Sequence, residues 1–345
     1  MKAVFIEEQG DVDKLIYGDR PDPSAGHGEV VIRVRASALN HLDLGVRSGR
    51  GRGPGSLPRI LGCDMAGEVH ELGAGVTGLA VGDRVLVDNR IKCDACTPCL
   101  QGTDQSCERQ LRIGVDVDGG HAELCSVPAV NVHRFRDSMT FEEAAAIPLA
   151  FHAAWHCLMV RAELKPWETI LVQAGGSGVG SAAIQIAKRI GARVITTAGS
   201  DEKLAVAHEQ GADEGINYRT TPEFSRAVMD LTGGAGVDAV LDVVGAAVWR
   251  ENLLSLRPFG RLVITGTTSG SQSDMDLSLL QGRPLTLMGS GGRTRRSFAE
   301  MMSVVNRGEL RGVVGRVFEL QEVGEAHRTM ESRDFYGKLV VRSPG

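Results

Sequence analysis

At 345 residues the chain is too long for one compact core, so two domains are expected. A formal net charge of −5 and a pI near 6.0 offer no basic field to gather phosphate, which argues against nucleic acid or an anionic membrane as a partner. Composition is that of an ordinary globular protein, 42% hydrophobic and 23% charged, and its 44 glycines suit a chain with many turns.

The opening Met1-Lys2-Ala3-Val4-Phe5-Ile6-Glu7-Glu8 meets charge too soon for a secretory signal, and no apolar run is long enough to span a bilayer. A cytoplasmic location follows, and seven cysteines in a reducing compartment read as thiols or metal ligands rather than disulfides. Residues 1 to about 130 are β-rich and loop-rich. Alternating runs at Glu29-Val30-Val31-Ile32-Arg33-Val34-Arg35 and Met65-Ala66-Gly67-Glu68-Val69-His70-Glu71-Leu72 predict half-buried strands. Gly51-Arg52-Gly53-Pro54-Gly55-Ser56 has no hydrophobic period and reads as a surface connection or the rim of a substrate cleft.

Cys93-x-x-Cys96-x-x-Cys99, followed after seven residues by Cys107, is the strongest local constellation. Four sulfurs at this spacing can surround one tetrahedral Zn²⁺ and close it off from substrate; an iron–sulfur cluster or a metal-free thiol loop are the other readings. Cys125 and Cys157 read as buried packing residues. Thr140 followed by Glu143 has capping-box spacing, which starts a helix there, and a second helix is expected from Ala150 to about Met159.

Next comes Ile170-Leu171-Val172-Gln173-Ala174-Gly175-Gly176-Ser177-Gly178-Val179-Gly180, an apolar run and a glycine cluster, then Ser181 to Lys188 with apolar residues at helical spacing. Strand, tight turn and helix aim backbone N–H groups and the positive end of a helix dipole at one point, which suits a pyrophosphate. Glycine lets the diphosphate approach. Further strands are predicted at Ala192 to Ala198, Gly215-Ile216-Asn217, Asp238 to Gly245, Gly260 to Gly266 and Pro284 to Gly289, with helical segments between them, so the sheet is parallel and doubly wound. Arg293 to Arg296 is a short basic piece expected to be solvated. An amphipathic helix over Arg296 to Asn306 follows, and Lys338-Leu339-Val340-Val341 reads as a strand returning to the first domain.

The zinc-type lobe and the nucleotide turn together resemble the medium-chain dehydrogenase/reductase superfamily, whose members include zinc-binding alcohol dehydrogenases and quinone oxidoreductases. Further landmarks are Gly28 to Val34, the block from Gly67-Glu68-Val69 to Gly82-Asp83-Arg84-Val85, and Gly337-Lys338-Leu339-Val340, so the likeness covers nearly the whole chain. It implies an α/β protein in which a Rossmann doubly wound parallel sheet is inserted into a β-rich GroES-like domain. The corresponding boundaries are residues 1–150 for the catalytic domain with its zinc lobe at 93–107, 151–289 for the nucleotide-binding domain, and 290–345 for the segment completing the first. It also implies an active site in the cleft between domains, hydride transfer with a nicotinamide, and a homodimer or homotetramer.

The chain departs from the zinc alcohol dehydrogenases at the catalytic metal. Their Cys-x-x-Asp is matched by Asn40-His41-Leu42-Asp43, their His-Glu by Cys63-Asp64, and their later cysteine by Leu149. A carboxamide and a leucine are poor zinc ligands, so the resemblance moves to the zinc-free quinone and enone reductases. Cys63, Asp64 and His152 remain as an improvised site. His41, counted with the cofactor contacts, and His152 read as hydrogen-bonding cleft residues, ligands or acids.

For the coenzyme, the second predicted strand ends in Thr197-Ala198-Gly199-Ser200, where an NAD-type fold carries an acid that repels a 2′-phosphate. Lys203 and Tyr218 match positions that hold that phosphate in the NADPH-dependent quinone oxidoreductases; Arg219 follows Tyr218. Gly175, Ser177, Gly178, Val179 and Gly180 are expected to cradle the pyrophosphate, with Gly245 and Gly266 at neighbouring strand ends. The reading is an NADPH-dependent reductase of a quinone or an α,β-unsaturated carbonyl, with one structural zinc. Asn40 would donate to the developing oxyanion, Asp43 would brace the site, and His152, Cys63 or solvent would deliver a proton. A zinc alcohol dehydrogenase with atypical ligands is the alternative, and a non-catalytic nucleotide-binding or RNA-contacting protein is a third reading.

Overall fold

The computed structural model describes residues 1–50 and 55–344. Gly51, Arg52, Gly53 and Pro54, most of the glycine-rich loop, lie outside the described residues. The chain divides into two units, Met1–Leu149 with Thr294–Gly345, and Ala150–Arg293. The return to the first unit begins at Thr294 rather than at residue 290 because Thr294 is the cap of the helix Arg295–Asn306, its side chain accepting from the Ser297 N–H.

The first unit is built on antiparallel strands. Glu29–Ala38 turns Val30, Ile32 and Val34 into the core, buries Val31 on its other face, leaves Arg33 and Arg35 half-buried, and pairs with Asp64–Leu72 so that Ala38 lies opposite Asp64. The seven-stranded sheet runs Val132–Arg134, Arg84–Val87, Asp64–Leu72, Glu29–Ala38, Lys338–Arg342, Val314–Glu319, and Leu124–Pro128 also pairs with Glu29–Ala38. The closing strand is antiparallel to Glu29–Ala38 with Val340 opposite Ala38, and the Leu39 N–H donates to the Leu339 carbonyl. Continuing that register by two residues brings Lys338 opposite Asn40. Thus Asn40, Asp64 and Lys338 share one end of three adjacent strands.

The second unit is a six-stranded sheet in the order Glu214–Asn217, Arg193–Ala198, Thr169–Val172, Val237–Asp242, Leu256–Ile264, Thr286–Gly289, with every pair parallel. Its central strands are apolar on both faces, Leu171, Ile195, Val240 and Leu262 being buried on one and Val172, Leu241 and Val263 on the other, which is why they read as continuous hydrophobic runs. Strand order reverses at Thr169–Val172, and the glycine turn leaves from its carboxyl end.

Two expectations change. The helix awaited from Ala150 to about Met159 starts at Pro148, where a missing N–H costs nothing, runs to Trp155, and continues as a π-helix over His156–Arg161. The basic piece is not simply solvated: Arg293 is buried, and Arg295 reaches back to Asp94 and the Lys92 carbonyl; only Arg296 projects into solvent.

Candidate active site and metal-binding lobe

Asn40 ends the extended strand segment and caps the helix His41–Ser48. Its backbone N–H donates to Asp43 Oδ2 at 2.7 Å, and the Gly62 N–H donates to Asp43 Oδ1 at 3.1 Å, so Asp43 ties the helix start to the turn before Cys63. The Asn40 side-chain amide donates to Asp64 Oδ2 at 2.9 Å, to Cys63 Sγ at 3.2 Å and to the Ala38 carbonyl at 3.3 Å. Lys338 Nζ donates to Asn40 Oδ1 at 2.5 Å and to Asp64 Oδ2 at 3.0 Å. The other carboxylate oxygen of Asp64 accepts from the backbone N–H of Leu149 at 2.9 Å.

All five polar side chains are buried. Burial raises the Asp43 carboxyl to about 6, against the opposing pull of the Asn40 N–H and the Lys338 charge. Burial, with the Asp43 and Asp64 charges, pushes the Cys63 thiol well above its usual value, so at neutral pH it is a thiol and not a thiolate. His41 is solvent-exposed at the start of its helix; crowding by protein, then the Arg333 and Lys338 charges, lowers its imidazole pKa. His152 is buried on the helix Pro148–Trp155 and belongs to the second unit, whereas the other catalytic candidates belong to the first.

An open catalytic zinc needs three uncommitted protein donors. Here both Asp64 oxygens and the Asn40 carbonyl are engaged, Cys63 Sγ already accepts from the Asn40 amide, and an ammonium stands among them. The donor set does not fit such a metal. Lys338 and the Leu149 N–H were not singled out as site groups from the sequence. A lysine heading an apolar strand was the available signal, because a buried cation must find an anion. Leu149 acts through its backbone, which side-chain identity does not reveal.

The cysteine lobe is the opposite case. The sulfurs of Cys93, Cys96, Cys99 and Cys107 all lie within 4.8 Å of one another, Cys96 and Cys99 being 3.4 Å apart. Bonds of ~2.3 Å in a tetrahedron set S···S near 3.8 Å, so the four fit one zinc with little movement. Backbone N–H groups of Ala95 and Cys96 draw the Cys93 thiol down to about 6. The Arg295 backbone N–H donates to Asp104 Oδ2 at 3.1 Å, fastening the lobe to the helix that follows Thr294.

In the second unit the glycine turn has no room for side chains. A Cβ on Gly175 would come 2.2 Å from Thr196 Oγ1, and one on Gly180 would come 2.1 Å from the Ala174 carbonyl. Ser177 caps the helix Gly178–Ile190, its Oγ accepting from the Gly180 N–H at 3.0 Å, which leaves Gly178 and Val179 in the first turn with the helix's positive end. Accepting that bond leaves the Ser177 hydroxyl proton as a donor.

At the end of Arg193–Ala198, Lys203 packs over Gly176, and a Cβ on Gly199 would lie 2.5 Å from Tyr218 Oη and 3.5 Å from Arg219 Nε. Asp201, the acid nearest in sequence, accepts from Asn217 Nδ2 at 2.9 Å. Gly245 and Gly266 follow the ends of Val237–Asp242 and Leu256–Ile264. A dinucleotide fits this cradle, and at Gly199 the Tyr218 phenol and the Arg219 guanidinium face the turn that follows Arg193–Ala198.

A helix N-terminus at the switch point of a parallel sheet, on one chain with a four-sulfur lobe, is the arrangement of the nucleotide-dependent dehydrogenases. Two family descriptions match: an alcohol dehydrogenase GroES-like domain over residues 26–137 and a zinc-binding dehydrogenase domain over residues 178–307. Among curated relatives, an NAD-dependent alcohol dehydrogenase of Sulfolobus acidocaldarius is 30% identical, an acryloyl-coenzyme A reductase of Metallosphaera sedula 29%, and a quinone oxidoreductase of Pseudomonas aeruginosa 31%, each over 99% of both chains. A crystal structure of an NAD-dependent alcohol dehydrogenase superposes with a TM-score of 0.96 at 39% identity, covering 99% of both chains. The chain belongs to the medium-chain dehydrogenase/reductase superfamily and is an oxidoreductase. Among the described residues, no helix is long and apolar enough to cross a membrane.

Proposed function

We propose that the protein is an NADPH-dependent reductase of quinones or α,β-unsaturated carbonyl compounds, with one structural zinc held by Cys93, Cys96, Cys99 and Cys107. The observation that carries this reading is the neutralised cluster of Asn40, Cys63, Asp64 and Lys338, which supplies hydrogen-bond donors where an alcohol-oxidising enzyme needs a Lewis acid. The relatives named for acryloyl-coenzyme A and quinone reduction support the substrate class, and Tyr218 and Arg219 beside Gly199, with Lys203 beside Gly176, support the coenzyme.

When bound, NADPH supplies a hydride for the electrophilic carbon of the substrate. Negative charge then builds on the substrate oxygen, which needs a donor. Asn40 has two amide hydrogens for three acceptors: one is committed to Asp64 at 2.9 Å, and the other is shared between Cys63 Sγ and the Ala38 carbonyl. That second hydrogen, bound to no carboxylate, is the one offered to the oxyanion with the amide held where it stands. Asp43 holds the Asn40 and Gly62 backbones, and so the amide, in place. The protonated Cys63 thiol, His152 or solvent completes the product with a proton.

A small-molecule substrate and a cytoplasmic setting belong to the same reading, with no nucleic acid or membrane partner. A homodimer or homotetramer belongs to it too; among the described residues the strand Thr286–Gly289 is an edge of its sheet, which a second copy could extend. Turnover with a panel of enones, quinones, aldehydes and alcohols, run with each coenzyme, tests the function. The coenzyme arm is decisive because two of the relatives are named for NAD. Lys203→Ala should weaken NADPH binding tenfold or more, at about 1.5 to 3 kcal/mol per charged hydrogen bond, and leave NADH binding nearly unchanged. Equal losses for both would overturn the NADPH assignment.

A further inference from the structure

We propose that Lys338 is the positioning residue of the Asn40 site: its buried ammonium locks the amide in one orientation and polarises it toward the substrate oxyanion. This rests on the reductase reading above. The closing strand delivers Lys338 by register, opposite Asn40, and its side chain is only 6% exposed beside an Asp64 that is fully buried. An amide can be placed either way round, and here the neighbours decide. With Oδ1 toward Lys338 and Nδ2 toward Asp64, both contacts are attractive. Flipped, the NH₂ would face an ammonium at 2.5 Å and the carbonyl would face a carboxylate.

The pair Lys338 and Asp64 is neutral as a whole, yet its two ends act on opposite ends of the amide. The ammonium draws electron density to Oδ1, which strengthens the donor character of both N–H bonds. A chain of ammonium, carbonyl, N–H and oxyanion thus carries one positive charge toward the reacting oxygen, without the lysine touching the substrate. Leu149 and Asn40 hold Asp64 as the fixed counter-ion, so the ammonium does not swing away.

The test uses the full-length protein with NADPH and a small cyclic enone, comparing Lys338→Met and Lys338→Arg with wild type. Lys338→Met should lower kcat about 100-fold, the scale of one lost oxyanion donor, while KM and the NADPH Kd stay within about threefold; Lys338→Arg should recover part of the loss. Asparagine-selective ¹⁵N spectra taken without substrate should show the wild-type Asn40 amide protons shifted downfield, and shifted back in Lys338→Met. Wild-type kcat in Lys338→Met, or kcat lost only in step with Tm and with an unmoved amide signal, overturns the proposal. If the methionine variant does not fold, an Asn40 amide without a downfield shift in the wild type overturns it equally. A wild-type protein that reduces no enone or quinone sinks the reductase reading instead, and the substrate-free amide signal still decides the role of Lys338.

Discussion

Two clusters in the first unit use similar side chains and reach opposite states. In the lobe at residues 93–107, four sulfurs converge on one another, and backbone N–H groups together with the Arg109 guanidinium beside Cys93 favour a thiolate there. At Asn40, Cys63, Asp64 and Lys338, the same kinds of donor are already satisfied, and the charge that would recruit a metal is cancelled by an ammonium. The lesson is that ligand chemistry depends on what the donors are already doing. A cysteine beside an aspartate is a metal site only if nothing else claims them.

The largest expected effect breaks the lobe. Cys96→Ser should release the zinc and unravel residues 93–107, since structural zinc contributes on the order of 10 kcal/mol to small lobes of this type; elemental analysis and thermal melts check it. Retained zinc with an unchanged Tm would erase the contrast between the clusters. A smaller effect sharpens the other side. Asp43 titrates at about 6 in the folded protein against 3.8 ordinarily, so between those values the native state holds the extra proton. The stability of the wild type relative to Asp43→Asn should therefore fall as pH rises from about 4 to about 6, by up to roughly 3 kcal/mol, and level off above. Urea melts of both proteins across that range measure it, and a gap independent of pH would show Asp43 to be an ordinary carboxylate.

The two clusters also differ in how far the sequence reveals them. The lobe is local: its four ligands fall within one short stretch, and their spacing alone brings them together. The parallel sheet was equally legible, because strands buried on both faces write themselves as apolar runs, and the glycine turn announces the helix at its head. The Asn40 cluster was legible only in part. Asn40, Cys63 and Asp64 stand out by what they replace in related enzymes, but Lys338 joins from 298 residues away and depends on strand register. The Leu149 contribution is a backbone N–H, invisible in a side-chain pattern. Arg295 misleads for the same reason, since a basic run looks solvated until a helix start carries it onto Asp94 and Asp104.

The most direct measurement is the zinc content of fully active protein purified without chelators and assayed beside its metal count. One zinc per chain, with activity unchanged when excess zinc is supplied, is the expected result. Two zincs per chain, with turnover lost as the second is withdrawn, would mean that the donors around Lys338 open to a metal after all.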